Sequence, residues 1–173
     1  MTTSSDKQTV TTITNQVFER EHVYDSTKFL QEIMRNQPGQ EDMNEYKYNK
    51  NITFLDTKFL DGIIAKSFFK MEVTPDMKDD KGCLLRTCIG EILDFIPMRV
   101  SDGAEFRRKM TLKLAIEYVH QIPIKKYVVI EGKVIKIEEK SGLAEGKIWD
   151  PDTKQIIAKC QIIFVFIDQN PKL

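Results

Sequence analysis

The side chains most able to do chemistry gather at the start of one amphipathic segment: Asp76, Asp79 and Asp80, then Lys81, Gly82 and Cys83, with Glu91 further along. The first N–H groups of a helix find no partner inside it and form the positive end of its dipole. A helix starting near Gly82 therefore offers an anion or a polarised carbonyl a place to bind, with no glycine side chain in the way. A cysteine at such a position can have a lowered thiol pKa and act as a nucleophile, which makes Cys83 a candidate, although no histidine stands near it in sequence. Glu91 can serve as a base or, more plainly, as a surface charge that pairs with a Lys or Arg of a neighbouring sheet. The three aspartates have an equally plain reading as solvated charges that suit the positive helix end. His22 and His120 are isolated, and Cys83, Cys88 and Cys160 lack the spacing of metal ligands, so neither a metal site nor a cofactor is expected.

The elements that must position these groups follow from hydrophobic periodicity. Leu84, Leu85, Cys88, Ile89, Ile92, Leu93, Phe95 and Ile96 fall on one half of a helical wheel, predicting a helix that lies on a flat apolar surface through Leu85, Ile89, Ile92 and Ile96. Pro97 is expected to end or kink it, with Ser101-Asp102-Gly103 as the turn beyond. Met110, Leu112, Leu114, Ile116 and Tyr118 then alternate with Thr111, Lys113, Ala115 and Glu117, the period of a strand with one face on that helix. Strands are predicted over 52–59 and 63–73, joined at Asp61-Gly62, and over 108–121, 127–138, 143–149 and 156–168, with the last hairpin turning at Pro151-Asp152-Thr153. Upstream, Ser26 caps a helix over 26–35 that Pro38-Gly39 stops, and 40–51 reads as a loop. Residues 1–25 form a polar arm whose sizeable anchors are Phe18 and Val23, near Tyr24, leaving 26–173 as the domain. One long helix against a single antiparallel sheet is an α+β arrangement.

Composition narrows the function. With 173 residues, 41% of them apolar, the chain suits one core. Positive and negative side chains number 26 each, so no overall field draws nucleic acid or an anionic membrane, and no basic stripe is interleaved with aromatics. The longest apolar run, at 160–167, is too short to span a bilayer, and the polar opening reads as no signal peptide. An odd number of cysteines, three, inside apolar patterns suits reduced core thiols. The expected compartment is intracellular, mitochondrial or cytoplasmic.

The element order, with 63–73 leading into Lys81-Gly82-Cys83, 112–118 followed by Pro123, and the closing pair 143–150 and 153–166, resembles the hotdog-fold acyl-CoA thioesterases of the phenylacetate-pathway branch. The resemblance runs over about 26–167. It implies a hotdog fold, a long central helix wrapped by a six-stranded antiparallel sheet. The motif of that family is His-Gly-Gly at the helix start, whose N–H groups polarise the thioester carbonyl, with an Asp or Glu eight residues after the first Gly. Here Lys81-Gly82-Cys83 retains only Gly82, and the later position is Gly90, with Glu91 beside it but turned by about 100°. The resemblance thus implies that the Gly82 and Cys83 amides would hold the carbonyl, that Lys81 would meet a phosphate of CoA, and that Glu91 or an acid such as Asp79 would activate water. Thr111 matches a small hydroxyl on the third strand of the family. The expected partner is acyl-CoA or a related thioester, together with a second copy or a homologous hotdog subunit in a dimer or tetramer, because a lone curved sheet leaves unpaired edges. Two functions stay open: thioester hydrolysis or binding with catalysis lost, and a non-catalytic structural subunit of a larger assembly, mitochondrial among the options.

Overall fold

Six strands account for most of the backbone hydrogen bonding in the computed structural model, which describes residues 48–60, 63–105 and 107–167. The arm at 1–25, the helix expected over 26–35, His22 and the Asp61-Gly62 turn lie outside the described residues. The strands are β1 (Ile52–Leu60), β2 (Ile63–Glu72), β3 (Lys109–Tyr118), β4 (Tyr127–Ile137), β5 (Ser141–Trp149) and β6 (Ile156–Phe166). They form one antiparallel sheet in the order β1-β2-β4-β5-β6-β3, each within three residues of its predicted end points. Among the described residues one long helix, α1 (Arg86–Ala104), packs on the sheet, mainly on β4 and β5. The α+β hotdog architecture expected from the sequence is the one observed.

Alternation explains the seat of the helix. Val128 and Ile130 on β4, Ala144 and Ile148 on β5, and Ile162 and Phe164 on β6 point inward and are fully buried, as are Leu93 and Ile96 on α1. Each aliphatic side chain buried in this way contributes roughly 1.5–3 kcal/mol relative to exposure. Three inward positions are glycine, Gly132, Gly142 and Gly146, and at the first and last the helix comes close enough to use the room. A Cβ at Gly132 would stand 2.7 Å from Val100 Cγ2, and one at Gly146 would stand 2.8 Å from Pro97 Cγ.

Pro97 neither ends the helix nor places Ser101-Asp102-Gly103 in a turn beyond it, since α1 continues to Ala104. A proline inside a helix leaves the carbonyl four residues earlier without its donor. That carbonyl belongs to Leu93, and the buried Cys160 thiol of β6 donates to it at 3.3 Å. Burial pushes the Cys160 thiol up to about 12, so it stays a neutral donor. The helix also starts later than expected. Leu84 bridges Lys78, and the Leu85 N–H donates to the Met77 carbonyl at 2.9 Å, which keeps the chain extended through Leu85.

The alternation predicted for β3 breaks at a bulge, because Thr111 pairs with Phe164 and Lys113 with Ile163, leaving Leu112 as the extra residue. Leu114 and Ile116 do pack against the core, whereas Met110, Leu112 and Tyr118 are exposed. The bulge therefore turns Thr111 toward α1. Cys83, Cys88 and Cys160 are buried and form no disulfide, as the sequence suggested.

Candidate functional site

The link between β2 and α1 folds around Asp79. Lys81 N–H and Cys83 N–H donate to Asp79 Oδ1 at 3.0 and 2.9 Å, Gly82 N–H donates to the Asp79 carbonyl at 3.0 Å, and Gln121 Nε2 donates to Asp79 Oδ2 at 2.9 Å. Gly82 occupies the left-handed region, φ 76°, which the turn requires and a side chain would resist. The Cys83 N–H bond, above all, holds the Asp79 carboxyl below its usual range. The two amides expected to polarise a carbonyl are therefore already engaged by the chain's own Asp79, whose depressed pKa also suits a structural acceptor better than a proton-accepting base. Ile124 N–H to the Gly82 carbonyl and Lys78 Nζ to the Ile124 carbonyl, at 2.9 and 2.6 Å, tie this link to the chain after β3. Lys81 is exposed.

The lowered thiol pKa that would make Cys83 a nucleophile does not arise. The residue is buried, precedes the helix instead of opening it, and has its pKa raised by burial first and by Asp79 second. The helix start proper, at Arg86 and Thr87, carries no side-chain cap and no acidic residue in its first turn. It borders a cavity of about 230 Å³ lined in part by Cys83, Arg86, Tyr118 and His120. Arg86 stacks its guanidinium 5.1 Å from the centre of the Tyr118 ring.

Among the described residues Glu91 makes no ion pair with the sheet. Its Oε1 is buried without a hydrogen-bond partner, an arrangement that costs about 1–3 kcal/mol and is uncommon in folded proteins. Gly90 faces β3, and a Cβ built there would find only Ile116 Cδ1, at 3.9 Å.

The residue that sequence reasoning missed is Asp94. Thr111 Oγ1 donates to Asp94 Oδ1 at 2.9 Å across the seam between α1 and β3, so Thr111 meets Asp94 and not Glu91. The signal was present, because Asp94 lies four residues after Gly90 and so on the same helical stripe. Asp94 and Thr111 line a groove of about 480 Å³ that runs toward Met98, Asp102 and Lys109. The groove's far end is pinned by Lys109, whose side chain is 3% exposed and whose ammonium donates to the Glu105 carbonyl at 2.7 Å and to Ser101 Oγ at 3.2 Å, and pairs with Asp102 at 3.0 Å. Burial lowers the Lys109 pKa, and Asp102 opposes that change. This clamp joins the last turn of α1 to the first residue of β3 and so sets the spacing at which Asp94 and Thr111 meet.

Among the described residues no cluster of His, Cys, Asp and Glu is arranged to hold a metal ion, and no helix is long and apolar enough to cross a membrane. No family model matches the sequence, and no curated protein does. Solved structures do match in fold. The chain is similar to thioesterase superfamily member 2 from Mus musculus, at 17% identity and a TM-score of 0.66, over 80% of this chain and 96% of the mouse protein. It is similar to zebra fish thioesterase superfamily member 2, at 15% identity and a TM-score of 0.65, over 82% and 95%. A Streptococcus mutans protein solved bound to acetyl-CoA matches at 16% identity and a TM-score of 0.60, over 73% and 96%.

Proposed function

We propose that this hotdog-fold chain binds acyl-CoA or a related thioester along its β3 side, and hydrolyses it far more slowly than an enzyme with a carboxylate at position 90. The fold shared with thioesterases, and with a Streptococcus mutans protein solved bound to acetyl-CoA, supports the ligand class. The observation that carries the slow turnover is the Asp79 carboxylate bound to the Cys83 amide, together with the absence of any side chain at Gly90. A thioester carbonyl reaching Cys83 N–H would have to displace an anion already hydrogen-bonded there.

The test is a panel of acyl-CoAs of different chain length, read by binding calorimetry and by release of free thiol. Binding is expected with turnover below about 1 per second, the lower end of ordinary enzymes. Turnover above that value, or no binding across the panel, would count against the proposal.

The assembly is a dimer through β3. Among the described residues this strand is hydrogen-bonded on one side only, to β6, and leaves Leu112 64% and Met110 54% exposed. Antiparallel pairing of two β3 edges would bring the Tyr118 end of one copy, with its cavity, toward the Thr111 groove of the other, so one ligand could touch both. Light scattering should give a multiple of 20.1 kDa, and Leu112→Lys should lower it toward the monomer. A monomer mass for the unaltered chain would refute the assembly. The same exposed edge favours the second reading, a structural subunit of a larger assembly, and that reading gains if dimers form but no acyl-CoA binds.

A further inference from the structure

We infer that residues 41–46, which precede the described chain, fold back along the open edge of β1 and set their acids against a row of lysines on the face of the sheet that α1 does not cover. The thioester reading uses no part of this surface, so the inference stands apart from it.

The row is built by register, from residues far apart in sequence. Lys58 on β1 pairs directly with Lys66 on β2, and Lys66 pairs directly with Lys133 on β4, so three lysines stand side by side across three strands. Gly132, next to Lys133, faces Ile96 and Val100 of α1, which turns Lys133 and its neighbours in the row away from the helix. Like charges set directly opposite one another destabilise a sheet. Carboxylates relieve only part of the row. Glu131, 8% exposed, meets Lys66 at 3.1 Å and Lys147 at 3.9 Å, while Glu145, opposite Lys133, accepts from Gln161 Nε2 at 3.1 Å. Among the described residues Lys58 and Lys133 have no carboxylate within ion-pair distance, and the Lys58 and Lys66 ammoniums stand 5.6 and 5.7 Å from the centre of the same Phe68 ring. A face that gathers cations in this way fits an anionic occupant.

The chain carries a segment of matching chemistry. Residues 41–46 read Glu-Asp-Met-Asn-Glu-Tyr, with three acids and no base. On extended backbone Glu41, Met43 and Glu45 share a side, and on β2 Lys66, Phe68 and Lys70 share one. An acid, apolar, acid pattern thus meets a base, aromatic, base pattern.

The start of the described chain brings the two together. Tyr48, 7% exposed, is held in the core, and the Asn51 N–H donates to the Tyr48 carbonyl at 3.0 Å, a turn that sends the preceding residues back beside β1. Among the described residues β1 has β2 on one side and no strand on the other. An extended path from Tyr48 puts Met43 about 17 Å and Glu41 about 23 Å back along that edge, and Lys58 lies about 20 Å along β1 from Ile52. Glu41 therefore comes level with Lys58, and Met43 with Asp56 and Phe68, which pair with each other. The same placement sets an apolar side chain, not a like charge, beside Asp56.

The experiment is hydrogen exchange on the full chain, with a synthetic peptide of residues 38–47 as the unprotected reference. Amides of 41–46 are expected to exchange at least about tenfold more slowly in the chain than in the peptide. Lys58→Gln combined with Lys66→Gln should bring them within about twofold of the peptide. Salt at about 1 M should do the same to the unaltered chain, because it shortens the screening length to about 3 Å. Lys159→Gln, on the far half of the same face, should leave the protection unchanged. Carbodiimide cross-linking in a mixture of natural and isotope-labelled chains identifies the occupant, with links expected from Glu41 or Asp42 to Lys58 or Lys66 inside one chain. Amides of 41–46 that exchange as in the peptide, or protection that survives both the lysine changes and salt, would overturn the inference. So would links that join only labelled to unlabelled chains, which would give the surface to the same segment of a second copy. Should the paired lysine variant fail to fold, the salt series and the cross-links decide the matter without it.

Discussion

Ile92→Ala is expected to destabilise the fold by about 2–5 kcal/mol, the range for truncating a buried aliphatic side chain. Ile92 is 2% exposed in the middle of α1, where it belongs to the core shared by the helix and the sheet. The loss has two parts, the transfer energy of the removed carbons and the cavity left behind. The cavity should be large here because the surrounding sheet is continuous and can collapse little. Against a total stability of about 5–15 kcal/mol, one such change removes a large share of the margin. Denaturant titration measures it as a lower midpoint at an unchanged slope. Leu112→Ala, at a position 64% exposed on the strand edge, serves as the control and should stay within about 0.5 kcal/mol when both proteins are compared as monomers. An Ile92→Ala effect as small as the control would mean that this helix face does not carry the core.

Gly146→Val is expected to be at least as damaging, costing about 3 kcal/mol or more, at the upper end for overpacking. The first carbon of any side chain here would lie 2.8 Å from Pro97 Cγ, 3.0 Å from Cys160 Sγ and 3.0 Å from Leu93 Cδ2. These three groups also form the repair of the helix at Pro97, where the Cys160 thiol replaces the missing backbone donor. Pushing them apart would therefore open both the packing and that hydrogen bond. Gly90→Ala is the informative contrast, because its Cβ meets nothing closer than 3.9 Å and alanine favours a helix interior by about 0.5–1 kcal/mol over glycine. Thermal melts should move in opposite directions for the two variants. A neutral Gly146→Val would show that the helix does not sit as close to β5 as described.

Much of the architecture was legible because periodicity is a local property. The three-to-four spacing of Cys88, Ile89, Ile92, Leu93 and Ile96 and the apolar pattern along 127–137, 143–149 and 156–166 each need only neighbouring residues, and all these segments adopt the predicted element. The hairpin turn after Trp149 was legible for the same reason, since Asp150 Oδ2 accepts from Thr153 N–H and Thr153 Oγ1 only three residues on. The candidate site was far less so. Its expected center, Gly82 and Cys83, was placed at a helix start, whereas the helix begins at Arg86 because the Met77 carbonyl and the bridge from Lys78 to Leu84 hold the intervening chain extended.

What the sequence determined alone was which residues favour a helix, which favour a strand, and which face of each is apolar. What only the tertiary structure decided was which polar groups would find one another. Pro97 stays inside α1 because a thiol 67 residues from Leu93 in sequence supplies the donor that proline lacks. Thr111 faces Asp94 because a bulge at Leu112 turns it toward the helix, and the Gly82–Cys83 amides are closed because Asp79, steadied by Gln121, reaches them first. Hydrophobic pattern is read over a few residues, while hydrogen-bond partners are settled by distance in space, and the chemistry of this chain depends on the second.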